Sequence, residues 1–188
     1  MPNLLQDIVT HKILNKQRNL TVSNTAAETN LWSWTVPANT LKTNNAIHVR
    51  IIGSCLVNTG GSDEGLTIKW YYGATTLFNQ TGMQLLTHAT RRRAFDFDAV
   101  LAANGATNAQ VFSARMFLSD SNAAGYAVTT GHGDISTPEQ QMLSPINGVS
   151  SSIDSTANQL FRLTITMENA DPNFSWIVRY AYVELISN

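Results

Sequence analysis

From residue 18 onward, apolar side chains recur at every second position in short runs, and each run stops at Pro, Gly, Asn or Ser. A period of two puts alternate side chains on opposite faces of a pleated strand, so the pattern dictates half-buried β-strands. In 29–36, Trp32, Trp34 and Val36 share one face, while Leu31, Ser33 and Thr35 share the other. Pro37 ends that run because it has no N–H to give a ladder. In 46–57, Ile47, Val49 and Ile51 point one way and His48 and Arg50 the other. Gly53 interrupts this run and marks a bulge or a close backbone approach. Residues 60–65 (GGSDEG) read as a turn, and Leu66, Ile68, Trp70 and Tyr72 then share a face.

Residues 91–119 read as a second hairpin with Asn104-Gly105 in its turn, since Asn-Gly is a strong hairpin signal. Near the end, Phe161, Leu163, Ile165 and Met167 fall together, as do Ile177, Ala181, Val183 and Leu185. Asp171-Pro172-Asn173 turns the chain between these runs. Eight to ten short strands at regular spacing predict an all-β antiparallel sandwich. No fixed-period repeat occurs, which excludes a propeller or solenoid.

The surface composition agrees. Charged residues make up 13% of the chain, against ~25% in ordinary globular proteins. In their place stand 21 Thr, 18 Asn and 15 Ser, which suit strands and turns better than helices. The net charge is -1, so no bulk field attracts nucleic acid or an anionic membrane. The single cysteine, Cys55, allows no disulfide within the chain, which fits folding in a reducing cytoplasm. No signal peptide or membrane span is read, and three Asn-x-Ser/Thr matches are expected by chance in so Asn-rich a chain.

Two segments depart from the strand pattern. Residues 1–17 carry Leu4, Leu5, Ile8, Val9, Ile13 and Leu14, which make either the stripe of a short helix on the chain's own core or an extended arm for a neighbouring subunit. Residues 18–188 form the sandwich domain. Within it, 120–157 is rich in Ser, Gly and Asn and too long for an ordinary connection. There, residues 136–143 (STPEQQML) predict one or two helical turns, with Thr137 as cap, Pro138 at the first position and Gln140 closing a capping box. The excursion reads as a projecting or interface loop.

Reactive chemistry is sparse. His11, His48, His88 and His132 show no metal-ligand spacing, and no HExxH or CxxC occurs. His132 and Asp134 are the nearest approach to a site and read as a solvated loop. Cys55 lies mid-strand without an adjacent base or cation and reads as a buried, inert thiol. No G-x-S-x-G elbow occurs. The glycines of 60–65 lack the lysine a phosphate loop needs, and their acids match no calcium loop. A depolymerase would need two carboxylates facing one cleft. Asp96 and Asp98 share a strand face, yet nothing around them marks a reactive pair. No enzyme, metal or cofactor is expected.

The densest charge is Arg91, Arg92 and Arg93, followed by Asp96 and Asp98. It reads either as cross-strand ion pairs or as an anchoring patch for an acidic partner. The balancing aspartates argue against nucleic acid. Trp32, Trp34, Trp70 and Trp176 lie in strand patterns and read as core, although exposed tryptophans would stack on sugars.

The stretch LWSWTVPANTLKTNNAIHVRIIGSCLVNTGGSDEGLTIKWYYGATTLFN resembles a jelly-roll domain recurrent in structural proteins of tailed bacteriophages. The elements that carry the resemblance are Thr35 to Leu41, Asn44-Asn45, Ile47 to Gly53 and Gly73 to Phe78, with the closing YAYVEL resembling the family's last strand. It covers roughly residues 25 to 119 and 158 to 186, and the 120–157 excursion and apolar N-terminal arm depart from it. The resemblance implies a virion structural protein assembled in the host cytoplasm. A capsid decoration or cement protein is the leading expectation; a tail or fibre tip that binds a host receptor or glycan is the alternative. Family members commonly form trimers, so a homotrimer on a major capsid protein or other virion protein is expected. Leu4, Leu5, Ile8, Val9, Ile13, Leu14, Arg91, Arg92 and Arg93 are the candidate partner contacts.

Overall fold

The computed structural model describes residues 10–58, 64–85, 92–119 and 140–187. The strands are β1 (Thr10–Gln17), β2 (Leu20–Ser23), β3 (Thr29–Val36), β4 (Ala46–Val57), β5 (Glu64–Tyr72), β6 (Thr75–Leu85), β7 (Arg93–Ala106), β8 (Ala109–Ser119), β9 (Gln140–Ser151), β10 (Gln159–Met167) and β11 (Phe174–Ser187). Among the described residues there is no helix.

The strands form two antiparallel sheets. One is seven-stranded, in the order β1-β11-β4-β7-β8-β9 with β2 also on β11; the other runs β3-β10-β5-β6. Eight of the strands make a jelly roll, with β2-β11-β4-β7 facing β3-β10-β5-β6. The other three widen the first sheet. β1 and β2 share one side of β11, pairing with its second and first halves. β8 and β9 are inserted between β7 and β10 and extend the opposite side.

The alternation seen in the sequence becomes the core. Leu66, Ile68, Trp70 and Tyr72 are buried on β5, and Phe161, Leu163, Ile165 and Met167 on β10. The Phe161 ring meets Trp32, Trp70, Tyr72 and Phe112 at centroid separations of 5.3–6.2 Å. Phe112 comes from the opposite sheet, so this cluster ties the two layers together. Phe95, Phe97 and Trp176 form a second aromatic group. The Pro37 turn that ends β3 is fastened by Asn39 N–H to Ser155 O and Ala38 N–H to Asn158 Oδ1, both 2.8 Å.

Four local expectations change, each for a physical reason. Leu31 and Trp32 are both buried, because the pairing of β3 with β10 slips between Leu163 and Thr164. Ile177 leaves the face of Ala181 and Val183, because β11 shifts register between Val178 and Tyr180. Arg179 is the extra residue, and it exchanges the faces on either side. The β7–β8 turn is Thr107-Asn108 rather than Asn104-Gly105. Gly105, at φ 78°, instead lies in a register shift one step before the turn.

The fourth concerns the helical turns expected over 136–143. Residues 140–143 belong to β9, with Met142 opposite Phe117 and Leu143 opposite Met116. Cross-strand pairing outweighs the local capping signal there. Residues 120–139, which hold the rest of that signal with His132 and Asp134, lie outside the described residues.

Candidate functional site

The outer face of the seven-stranded sheet carries the richest side-chain arrangement. Every second residue points outward, and the register sets these residues in rows across the strands. Tyr182, Arg50, Asp98 and Arg115 form one row over β11, β4, β7 and β8. Tyr180, Ile52, Asp96 and Phe117 form the next. Ile52 and Phe117, each 37% exposed, therefore flank Asp96.

Arg50 grips Asp96 with both arms, Nε to Oδ1 at 3.1 Å and Nη2 to Oδ2 at 2.7 Å. These bonds, then the charge of Asp96, push the Arg50 guanidinium above its ordinary value. The pair is exposed, so it orders the surface more than it stabilises the fold. Beyond it runs a chain of contacts. His48 Nε2 is 3.0 Å from Asp98 Oδ2, His48 Nδ1 is 3.3 Å from Glu184 Oε2, and Glu184 Oε1 is 3.0 Å from His11 Nδ1. Four strands, β1, β11, β4 and β7, are joined side chain to side chain.

The outer face of the four-stranded sheet has a smaller network. Glu28 Oε2 accepts from Lys69 Nζ at 2.7 Å, and Oε1 accepts from Tyr71 Oη at 2.7 Å and Thr164 Oγ1 at 3.0 Å. Partial burial pushes the Glu28 carboxyl up, but the bonds from Lys69, Tyr71 and Thr164 together prevail and hold it below the usual range. The Arg162 guanidinium covers the Tyr71 ring at 4.4 Å, and Leu160 is exposed nearby.

The candidate contact residues separate. Thr10–Gln17, within the segment read as arm or helix, is a strand paired with the chain's own β11. On it Ile13 is 45% exposed, while Leu14 packs against the core. Arg93 is buried in the row of Phe95 and Phe97. Arg92 is half-buried, and its guanidinium donates to Ser54 Oγ and O and to Ser175 Oγ and O at 2.9–3.1 Å. It laces β4 to β11. Leu4, Leu5, Ile8, Val9 and Arg91 lie outside the described residues. The sequence reading missed the His11–Glu184–His48–Asp98 row, since its members are 11 to 184 along the chain and only the register brings them together.

Titratable groups do meet in the His11–Glu184–His48–Asp98 chain, but among the described residues no set of three or more His, Cys, Asp or Glu could hold a metal ion. Cys55 is fully buried, and burial pushes its thiol up to about 12. Trp32, Trp70 and Trp176 are fully buried and Trp34 packs on the core, so they serve as core residues. Among the described residues no helix is long and apolar enough to cross a membrane.

No protein-family model matches this chain, and no curated protein sequence does. Solved structures give distant matches. One is the structure of infectious bursal disease virus Gt strain, at 15% identity over 96% of this chain and 33% of that one, with a TM-score of 0.35. Another is the CBM2 module of Lactobacillus casei BL23 phage J-1 evolved Dit, at 10% identity over 91% of this chain and 76% of that one, with a TM-score of 0.33. The chain spans about a third of the bursal disease virus chains that it matches. At TM-scores this low, the strand order remains the ground for the fold.

Proposed function

We propose that this chain is a structural protein of a bacteriophage virion, acting as a capsid decoration or cement protein. Several copies, assembled as a homotrimer, bind across neighbouring capsid subunits. By binding the assembled shell and not its separated parts, they raise the free energy of disassembly. The observation that carries the reading is the outer face of the seven-stranded sheet. There Ile52 and Phe117 stand exposed on either side of Asp96, whose charge Arg50 already pairs. A contact at this spot buries apolar area without stranding Asp96 unpaired.

The test uses shells of the encoding phage assembled without this chain. Adding it should give saturable co-sedimentation and a higher temperature of shell disruption. Ile52→Asp with Phe117→Asp should weaken the binding at least tenfold while the variant stays folded. Shells that neither bind the chain nor gain stability would end the reading.

A second reading, a tail or fibre tip that binds a host receptor or glycan, draws support from Tyr71, Arg162 and Leu160 on the other sheet. Saturable binding on a glycan array, lost in Tyr71→Ala, would favour it over cement.

A further inference from the structure

His48 stands between two carboxylates. Its Nε2 faces Asp98 on β7 at 3.0 Å, and its Nδ1 faces Glu184 on β11 at 3.3 Å. A neutral imidazole has one N–H and one lone pair, whereas an imidazolium donates from both nitrogens. An ionised carboxylate only accepts. Both contacts are therefore complete as hydrogen bonds only with His48 protonated. Uncharged, it leaves one carboxylate facing a lone pair.

The consequence reaches the sheet edge. Glu184 uses its other oxygen for His11 Nδ1, and His11 sits on β1, which among the described residues pairs with β11 alone. The surrounding groups leave the row to balance itself. Arg50, two residues along β4, is engaged by Asp96. Arg115 Nη2 stands 3.9 Å from Asp98 Oδ1, too far for a hydrogen bond. Tyr182 presents its ring to His48 edge to face at 5.9 Å, and Lys16 lies opposite Tyr182 in the register. With both histidines charged, two cations face two anions. Without those charges, the cation that remains beside the anions among the described residues is the distant Arg115.

We infer that this row is an acid-tightened clasp: protonated His48 holds Asp98 and Glu184 across the sheet and, through Glu184 and His11, fastens edge strand β1. The sign follows from proton binding. The clasp needs an N–H on both His48 nitrogens, so β1 is held most firmly where the ring carries both and loosens where it has given one up. The inference is independent of any role in a virion.

Hydrogen exchange on the full chain at pH 5.5 and 8.0, corrected for the intrinsic rates, tests it. Protection of Thr10–Gln17 should fall about tenfold at the higher pH, while protection of Gln159–Met167 in the core stays level. Asp98→Asn should flatten the dependence, because an amide offers either a donor or an acceptor to the ring. His48→Gln should give the weaker protection at both pH values. The clasp is overturned by equal β1 protection at both pH values, by an equal loss in Gln159–Met167, or by Asp98→Asn keeping the full dependence. Should a variant fail to fold, ring 15N shifts of the unaltered chain decide. Both His48 nitrogens must be protonated at pH 5.5, and a neutral tautomer there sinks the inference.

Discussion

The Phe95 ring lies over Gly53. The two are opposite each other in the β4–β7 register, and a Cβ on Gly53 would come within 2.4 Å of Phe95 Cζ. It would also come within 2.1 Å of the Ile177 carbonyl oxygen. The inward position without a side chain is thus filled from the neighbouring strand, and the same ring stacks on Phe97 and touches Trp176.

Gly53→Ala should therefore destabilise the chain by about 3 kcal/mol, the upper end of the usual overpacking range. Urea unfolding measures it. Trimming the ring with Phe95→Leu in the same chain should recover only part of the loss, because the backbone oxygen of Ile177 cannot move aside. Full recovery would show that the ring alone sets the requirement for glycine.

Phe161 and Leu160 are neighbours with opposite fates. Phe161 is fully buried among four aromatic rings, and Leu160 is 37% exposed. Phe161→Ala should cost about 3–5 kcal/mol, including the cavity it leaves. Leu160→Ala should cost no more than about 0.5 kcal/mol. Thermal unfolding of the two variants side by side checks the assignment of faces on β10.

The two-sheet fold was legible because most strands keep strict alternation; β5, from Glu64 to Tyr72, does so without a break. What stayed hidden depended on partners distant in sequence. The slip opposite Leu31–Trp32 and the extra residue at Arg179 are fixed by pairing with β10 and β4, and no local propensity announces them. β9 was hidden by capping residues that would favour a helix in isolation. Arg92 illustrates the same limit for the site. Its position in a charged run left cross-strand ion pairs and a surface anchor both open, and it is Ser54 and Ser175, hydroxyls on two other strands, that engage its guanidinium.

Glu28 gives stability a definite pH dependence. Its carboxyl is held below the usual range, so its contribution is present above the ordinary carboxylate value and disappears as pH falls through and below it. Unfolding free energy measured between pH 6 and pH 2.5 should fall less steeply in Glu28→Gln than in the unaltered chain. Parallel curves would mean that the bonds from Lys69, Tyr71 and Thr164 do not favour the ionised form.

Cys55 offers a probe of opening that needs no mutation. It is the chain's one cysteine. Burial raises its thiol to about 12 against the pull of Arg93 and Arg92. At pH 8 a thiol with that value is ionised in about one molecule in ten thousand. The strands on either side also shut out reagent, since Cys55 pairs with Arg93 and Trp176 in the middle of the sheet. An aromatic disulfide reagent should therefore leave the folded chain unlabelled over minutes and titrate one thiol at once in urea. The slow labelling of the folded chain should accelerate in Gly53→Ala, which opens the sheet two residues away. Rapid labelling of the unaltered chain would place the sulfur at the surface and overturn this register of β4.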